Sequence, residues 1–216
     1  MTANKQKIRQ EIIATARKFS SYQLSFGCSG NVSARSSTGF LITPSGIGYD
    51  DLVPGDINEI DWQGKLTGGR MRPSTEWQLH HTLYLKRPDI NAVVHVHSTY
   101  ATAVACTRKA IPAFHYMVTK LGGNSIPCAE YATFGSVALA ENVAEALGNH
   151  MACLLANHGQ VCVGTDLATA LHYAGEVENL AKQYCISMAL GDVVLLDEKE
   201  MQINREKFKT YGKPDT

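Results

Sequence analysis

The segment A-V-V-H-V-H at residues 92–97 restricts the fold of this chain more than any other stretch of the sequence. Valine and histidine alternate here as they do in a β-strand, whose successive side chains project from opposite faces of a sheet. His95 and His97 are two residues apart, so they lie on the same face, within reach of one ion. Because neutral imidazole nitrogen is a preferred zinc ligand, the segment predicts a strand that carries half of a zinc site.

Short strands and longer helices alternate along the rest of the chain. Apolar residues at three- and four-residue spacing predict an amphipathic helix over residues 5–20. Thr75 and Gln78 form a capping-box pattern that predicts the start of another helix, and Pro88 ends it. Further predicted elements are short strands at 39–43 and 153–156, helices at 137–147 and 167–190, and a tail over 192–216 with weak helical periodicity near its end. This pattern favours a layered α/β fold but does not give the strand order.

The composition indicates one soluble globular domain spanning residues 1–216. Twenty basic and twenty acidic residues give a net charge of zero, so the chain has no long-range field that would attract nucleic acid or an anionic membrane. The sequence contains neither a signal peptide nor an apolar run of membrane-spanning length, which predicts a cytoplasmic protein. We therefore expect the six cysteines to be reduced thiols, most of them buried.

A catalytic zinc site needs a third protein ligand and an exchangeable position, and two residues are candidates for completing the histidine pair. Glu76 lies in the first turn of the predicted helix, and His158 follows an apolar run. The alternative is that His95 and His97 are an ordinary pair of strand histidines, and from spacing alone the two interpretations are about equally supported. The five other histidines lack a ligand-type partner in register, so we predict core or surface roles for them: His80, His81, His115, His150 and His172.

Three short polar segments are candidates for binding an oxyanion. Each combines small residues and exposed backbone N–H groups with hydroxyls or an amide, and such groups bind oxyanions without side-chain cations. Each segment alone is more typical of a turn or a helix cap, so only their convergence in the fold would indicate a site. The segments are Gly30-Asn31, Ser45-Gly46 and Ser74-Thr75. Tyr116 and Tyr211 are candidate proton donors if they lie beside the metal, and ordinary core or surface residues otherwise.

Eight motifs in order make the chain resemble the zinc-dependent class II aldolase/adducin family over nearly its whole length. The motifs are G-N-V-S at 30–33, I-T-P-S-G-I at 42–47, P-S-T-E-W at 73–77, A-V-V-H-V-H at 92–97, I-P-A-F-H-Y-M at 111–117, G-G-N-S-I-P-C-A at 122–129, Y-A-T-F-G at 131–135 and F-K-T-Y-G at 208–212. The resemblance implies an α/β fold of three layers, α/β/α, with a central, largely antiparallel sheet. It also implies a homotetramer with active sites at the subunit interfaces.

The resemblance further implies a metal site and a phosphate site on defined residues. One Zn²⁺ per subunit would be bound by His95, His97 and His158, with Glu76 as fourth ligand in the resting enzyme and as catalytic acid/base. The substrate phosphate would be held by Gly30, Asn31, Ser45, Gly46, Ser74 and Thr75. Tyr116 would reach the zinc of a neighbouring subunit, and Tyr211 would help to close the site. Cys28 replaces the threonine usual in this loop, so one hydroxyl donor is lost or exchanged for a weaker S–H group.

The reaction implied by the resemblance is the reversible cleavage of a small-molecule sugar phosphate, L-fuculose 1-phosphate, to dihydroxyacetone phosphate and L-lactaldehyde. Two alternatives on the same scaffold are an aldolase for a 5-deoxypentulose 1-phosphate and an L-ribulose-5-phosphate 4-epimerase. The segment at 111–117 and Tyr211 favour an aldolase over the epimerase. A non-catalytic, adducin-like interaction module is a further alternative, and the retention of Glu76 and three histidines counts against it.

Overall fold

An eight-stranded sheet forms the middle layer of the protein in a computed structural model, which describes residues 3–212. The strand order is β4-β3-β2-β1-β5-β8-β7-β6. Neighbouring strands between residues 3 and 212 are antiparallel except β6 and β7, which are parallel. The strands are β1 (Asn31–Ser36), β2 (Gly39–Ile42), β3 (Asn58–Asp61), β4 (Leu66–Gly68), β5 (Ala92–Val96), β6 (Cys128–Ala129), β7 (Ala152–Leu155) and β8 (Gly159–Gly164).

Helices cover both faces of the sheet. They are α1 (Ala3–Ser21), α2 (Trp77–Lys86), α3 (Thr99–Ala105), α4 (Val137–Leu147), α5 (Leu167–Leu190) and α6 (Glu198–Thr210). Apolar side chains of α1, α3 and α5 share one buried core with one face of the sheet, whereas α2 and α4 form a second core on the opposite face. This arrangement confirms the expected three-layer α/β/α fold with a largely antiparallel sheet. No helix in the described part of the chain is both long and apolar enough to cross a bilayer.

The central position of β5 explains why the residues around His95 are apolar. All five of its residues are buried, and it pairs with β1 on one side and β8 on the other. Val94 belongs to one core and Val93 to the other, as the alternation of strand side chains requires. The register places Asn31 of β1 directly opposite His95. The strand pairing therefore brings a predicted oxyanion-binding residue beside a predicted metal ligand.

The predicted start of α2 is wrong in its detail. The residue that precedes the helix is Glu76, which makes no side-chain capping hydrogen bond, and α2 begins at Trp77. The Thr75 N–H donates to Ser45 Oγ at 3.1 Å, and the Glu76 N–H donates to Ser74 Oγ at 3.3 Å. Thr75 does not cap the helix, because its segment is pinned to the neighbouring loop by hydrogen bonds that the local pattern does not reveal.

The other predicted elements are confirmed, and the tail is more regular than its weak periodicity indicated. Asp197 accepts the N–H of Glu200 and so caps α6, which buries Met201 in the core. All six cysteines are free thiols, as expected. The expectation that most of them are buried is wrong, because only two are, Cys153 and Cys162.

The two-core arrangement predicts a large difference between two leucine-to-alanine substitutions in the same sheet. Leu41 of β2 is fully buried, whereas Leu66 of the edge strand β4 is 47% exposed. Leu41→Ala should lower the free energy of unfolding by about 2–5 kcal/mol, because it leaves a cavity in a packed core. Leu66→Ala is the matched control and should change it by less than about 1 kcal/mol. Urea denaturation measures both values, and equal losses would contradict the assignment of Leu41 to the core.

Candidate active site

Four predicted ligands from three separate segments meet at one end of the sheet. Glu76 precedes α2, His95 lies in β5 with His97 just after it, and His158 lies in the turn between β7 and β8. Their ligand atoms all lie within 4.8 Å of one another. His95 Nε2 is 2.9 Å from His97 Nε2 and 3.1 Å from Glu76 Oε2, and His158 Nε2 is 3.4 Å from Glu76 Oε1. The four residues thus form a cluster that can bind one metal ion.

A tight turn carries His158 to the cluster. Asn157 adopts a left-handed backbone conformation, with φ of 54°, and a β-carbon at Gly159 would lie 2.6 Å from the Val96 carbonyl oxygen. Only glycine permits that approach to β5 without displacing backbone. The sequence Asn157-His158-Gly159 is therefore the local requirement for placing the third imidazole beside the first two.

The hydrogen bonds around the cluster leave lone pairs that can bind a cation. His95 Nδ1 donates to the carbonyl oxygen of Gln160 at 2.9 Å, so in the neutral ring Nε2 carries a lone pair directed into the cluster. Glu76 Oε1 is buried and has no hydrogen-bond partner among the described residues. Convergent lone pairs repel one another unless a proton or a metal ion lies between them. The donor set of imidazole nitrogens and a carboxylate therefore fits a divalent metal ion.

The pKa shifts of the cluster agree with its geometry. Burial lowers the pKa of His97 to about 3 and that of His158 to about 4, and the charge at His95 adds to the effect. Burial opposes protonation of His95, but the adjacent Glu76 carboxylate outweighs it and raises the pKa. Burial also raises the pKa of Glu76, yet the neighbouring imidazoles and the Asn31 amide outweigh it and lower the pKa well below its usual value. His97 and His158 are therefore neutral at pH 7, the state in which imidazole binds metals.

A chain of buried polar side chains lies behind Glu76. Asn31 Nδ2 donates to Glu76 Oε2 at 3.0 Å, and Asn31 Oδ1 lies 2.5 Å from His80 Nε2. Ser33 Oγ lies 2.6 Å from His80 Nδ1 and 2.8 Å from the Tyr84 hydroxyl. His80 is fully buried, which lowers its pKa to about 3, with the charge at His95 as a smaller cause.

The sequence analysis treated His80 as a core or surface residue, which its burial agrees with, but missed these polar contacts. The spacing could have revealed them. Asn31 and Ser33 are two apart on a strand, and His80 and Tyr84 are four apart on a helix, so each pair presents one face to the other.

All six predicted oxyanion-binding residues line one cavity of about 410 Å³, together with Glu76, His97 and His158. No lysine or arginine of the described chain lines this cavity, so an anion here would be bound by N–H, hydroxyl and amide groups. Gly46 has φ of 75°, and a β-carbon at this position would meet nothing within 4 Å, so its backbone is open to the cavity. Gly30 is required for packing, because a β-carbon there would lie 2.7 Å from the His95 carbonyl oxygen. The expected convergence of the three segments is therefore present.

Tyr116 and Tyr211 are not brought to Glu76 within one chain. Both line a different cavity, of about 400 Å³, between the 3-10 helix at Tyr116–Leu121 and the end of α6. The Tyr116 ring stacks on Phe208 with 6.0 Å between centroids, and Phe208 in turn contacts Tyr211 edge-on. The described chain thus contains two separate groups of predicted site residues.

An apolar wall and a thiol complete the lining of the Glu76 cavity. Tyr131 and Phe134 are 53% and 65% exposed, and they face the cavity together with Ala132. Arg108 lies over the Tyr131 ring at 5.7 Å. Cys28 lines the cavity beside the polar segments and is exposed.

Comparison with known proteins agrees with this geometry. The family model described as Class II Aldolase and Adducin N-terminal domain matches residues 10–185. The L-fuculose phosphate aldolase of Escherichia coli K12 is 47% identical over 207 residues, covering 95% of this chain and 96% of that protein. The 5-methylthioribulose-1-phosphate/5-deoxyribulose-1-phosphate aldolase of Rhodospirillum rubrum is 43% identical over 212 residues, covering 98% of this chain and 96% of that protein. A solved structure of an L-fuculose 1-phosphate aldolase matches with a TM-score of 0.91 at 40% identity, covering 94% of this chain and 96% of that one.

Metal binding should stabilise the wild-type protein and not a variant that lacks one imidazole. A ligand that binds only the folded state at one hundred times its dissociation constant adds about 2.7 kcal/mol to the free energy of unfolding. Zinc added to metal-stripped wild-type protein should give a gain of this order, and His95→Ala should abolish it. His172→Ala is the matched control, because His172 is exposed on α5, and it should keep the gain. Equal stabilisation of His95→Ala and wild type in urea denaturation would contradict a metal site at this cluster.

Proposed function

Because the chain belongs to the class II aldolase and adducin family and is an aldolase, we propose that it reversibly cleaves L-fuculose 1-phosphate to dihydroxyacetone phosphate and L-lactaldehyde with zinc as cofactor. The observation that carries this proposal is a single cavity with two unlike walls. One wall holds the Glu76 carboxylate and the imidazoles of His97 and His158, with the buried His95 in the same cluster, and the other holds small and hydroxyl-bearing residues without a cation. A short phosphorylated ketose matches both walls at once.

The metal ligands we propose are His95, His97 and His158, with Glu76 as a fourth ligand when no substrate is bound. Zinc fits this set, since it accepts imidazole nitrogen and carboxylate oxygen in one four-coordinate site. A zinc ion bound there would act as a Lewis acid that stabilises negative charge developing on the substrate oxygens during carbon–carbon cleavage. No lysine lines the cavity in residues 3–212, so the proposal requires no Schiff base.

Glu76 is the acid/base group of the proposed mechanism. Its carboxylate is buried at the junction of the two walls and is held ionised by its neighbours. In the condensation direction it can therefore accept a proton from a carbon of dihydroxyacetone phosphate, and in cleavage it returns a proton to that carbon. The Gly30 and Gly46 backbones and the hydroxyls of Ser74 and Thr75 hold the phosphate and so fix the distance between that carbon and Glu76. Asn31 lies between the phosphate wall and the carboxylate and contacts Glu76 directly.

A 5-deoxypentulose 1-phosphate or its methylthio analogue is the second candidate substrate. A relative named for both of these substrates is 43% identical to this chain. The wall formed by Tyr131, Ala132 and Phe134 is apolar and accepts an alkyl or thioether group. Both candidate substrates leave the same dihydroxyacetone phosphate and differ only in the aldehyde, which this wall would contact.

We place the enzyme in the cytoplasm as a homotetramer whose active sites combine residues of two subunits. The support is the separation of the tyrosines from Glu76 within one chain. In this assembly Tyr116 of one subunit reaches the site of its neighbour, and Tyr211 closes that site. There Tyr116 donates a proton to the alkoxide formed by condensation and takes the proton from the same oxygen in cleavage. Such an interface would also cover the apolar side chains exposed around α5 and the segment after it, which are Ile186, Met188, Leu190, Val194 and Leu195.

A substrate panel tests the reaction and the substrate separately. We expect release of dihydroxyacetone phosphate to be fastest from L-fuculose 1-phosphate and to be lost with a chelator, because the metal supplies the charge stabilisation. The panel includes 5-deoxyribulose 1-phosphate, 5-methylthioribulose 1-phosphate and L-ribulose 5-phosphate as an epimerisation control. A higher kcat/KM for 5-deoxyribulose 1-phosphate or 5-methylthioribulose 1-phosphate would change the proposed substrate and leave the proposed reaction unchanged. Undiminished cleavage by metal-free protein would overturn the mechanism.

Mixing two inactive variants tests whether the site is shared between subunits. Glu76→Gln removes the base and Tyr116→Phe removes the proton donor, so each homotetramer should be severely impaired in cleavage. If each site takes Glu76 and Tyr116 from different subunits of a ring, equal co-expression restores about a quarter of the wild-type sites. Co-expressing Glu76→Gln with Glu76→Ala is the control and should restore nothing. No recovery in the first mixture would place both residues in the same subunit's site.

A further inference from the structure

Five side chains form an unbroken hydrogen-bonded path from the sheet–helix interface to Glu76. The path runs from the Tyr84 hydroxyl through Ser33 Oγ to the His80 ring, and from there through the Asn31 amide to Glu76 Oε2. Every member is buried. No other route in the described residues connects the carboxylate to the helix that follows it by side-chain hydrogen bonds.

The carboxylate determines the direction of every proton in this path. An ionised carboxylate only accepts hydrogen bonds, so the Asn31 NH₂ group faces Glu76 and the Asn31 oxygen faces His80 Nε2. His80 Nε2 must then carry the proton, and Nδ1 of the neutral ring accepts from Ser33. Ser33 in turn accepts from the Tyr84 hydroxyl.

The opposite tautomer of His80 would reverse the contact with Glu76. If Nδ1 carried the proton, Nε2 and the Asn31 oxygen would be two acceptors 2.5 Å apart. The amide would then rotate and direct its oxygen towards Glu76 Oε2, which would replace an attraction with a repulsion. The state of His80 therefore decides whether the residue next to the carboxylate is a donor or an acceptor.

We propose that His80 is a positioning residue that orients the Asn31 amide and thereby holds the Glu76 carboxylate for proton transfer. The assignment of proton transfer to Glu76 rests on the proposed function; the orientation of the path does not. Ser33 and Tyr84 complete the path, because their hydroxyls can supply the proton that His80 Nδ1 accepts in this tautomer. This role also explains why the buried His80 ring contacts two neutral polar side chains, Ser33 and Asn31.

Three substitutions on α2 separate orientation from packing. His80→Phe keeps a ring but removes the N–H that donates to Asn31. His80→Gln keeps an N–H donor and a carbonyl oxygen acceptor in one side chain. His81→Phe is the matched control, because His81 is the next residue of the same helix and instead contacts the Trp62 carbonyl oxygen. We expect His80→Phe to lower kcat by about 10–100-fold without a matching change in KM. His80→Gln should recover most of the loss, and His81→Phe should leave kcat near the wild-type value.

Neutron diffraction of deuterium-exchanged wild-type protein provides a readout independent of activity and of variant folding. The expected result is deuterium on His80 Nε2 and none on Nδ1, with the Asn31 ND₂ group directed at Glu76. Deuterium on Nδ1, or wild-type kcat in a His80→Phe protein that unfolds cooperatively, would overturn the proposal. If wild-type protein cleaves no ketose phosphate, the proposed function fails, and the neutron result alone decides whether His80 orients Asn31.

Discussion

The rest of the site depends on the close approach of lone pairs from three imidazoles and one carboxylate at one end of the sheet. The Nε2 atoms of His95 and His97 approach to 2.9 Å, and both lie near a carboxylate with one oxygen that has no hydrogen-bond partner in the described residues. Buried lone pairs this close together are stable only if a proton or a metal ion lies between them. The backbone brings these groups together from a buried strand, the end of that strand, a glycine-flanked turn and the start of α2. The fold therefore gathers four groups that are able to bind a metal ion.

The pairing of β1 with β5 brings the polar residues at 30–31 next to the cluster of Glu76 and the three histidines. The antiparallel register of β1 and β5 places Asn31 opposite His95, and the loop before β1 brings Gly30 against the backbone of β5. The segment at 73–76 reaches the same place by bonding to the loop at residue 45, which is why Thr75 does not cap its helix. Asn31 thus belongs to both walls. In the function proposed above, its position would set the substrate phosphate and the Glu76 carboxylate at a defined distance without a lysine or arginine.

The polar path behind Glu76 shows how a buried carboxylate is held by side chains of a strand and a helix. Strand β1 and helix α2 each contribute two side chains at the spacing natural to that element, so the path needs no special backbone. Buried polar groups cost stability unless all of them are paired, and here the four groups behind the carboxylate each have a partner. A fully paired path of this kind has one low-energy proton arrangement, and that arrangement presents a donor to the carboxylate.

The sequence by itself determined most of the elements, the same-face pair of histidines and the candidate oxyanion-binding segments, because these depend on local periodicity, residue chemistry and short motifs. The residues at 92–97 predicted β5 and its same-face histidines, and the predicted bounds of α5 agree with the structure. Only the tertiary structure decided that Glu76 and His158 join that pair, that the three polar segments line one cavity, and that His80 bonds to Asn31. It also showed that Tyr116 and Tyr211 lie in a separate cavity. The physical reason is that strand register, helix packing and loop-to-loop hydrogen bonds join residues far apart in the chain, and no local pattern encodes those distances.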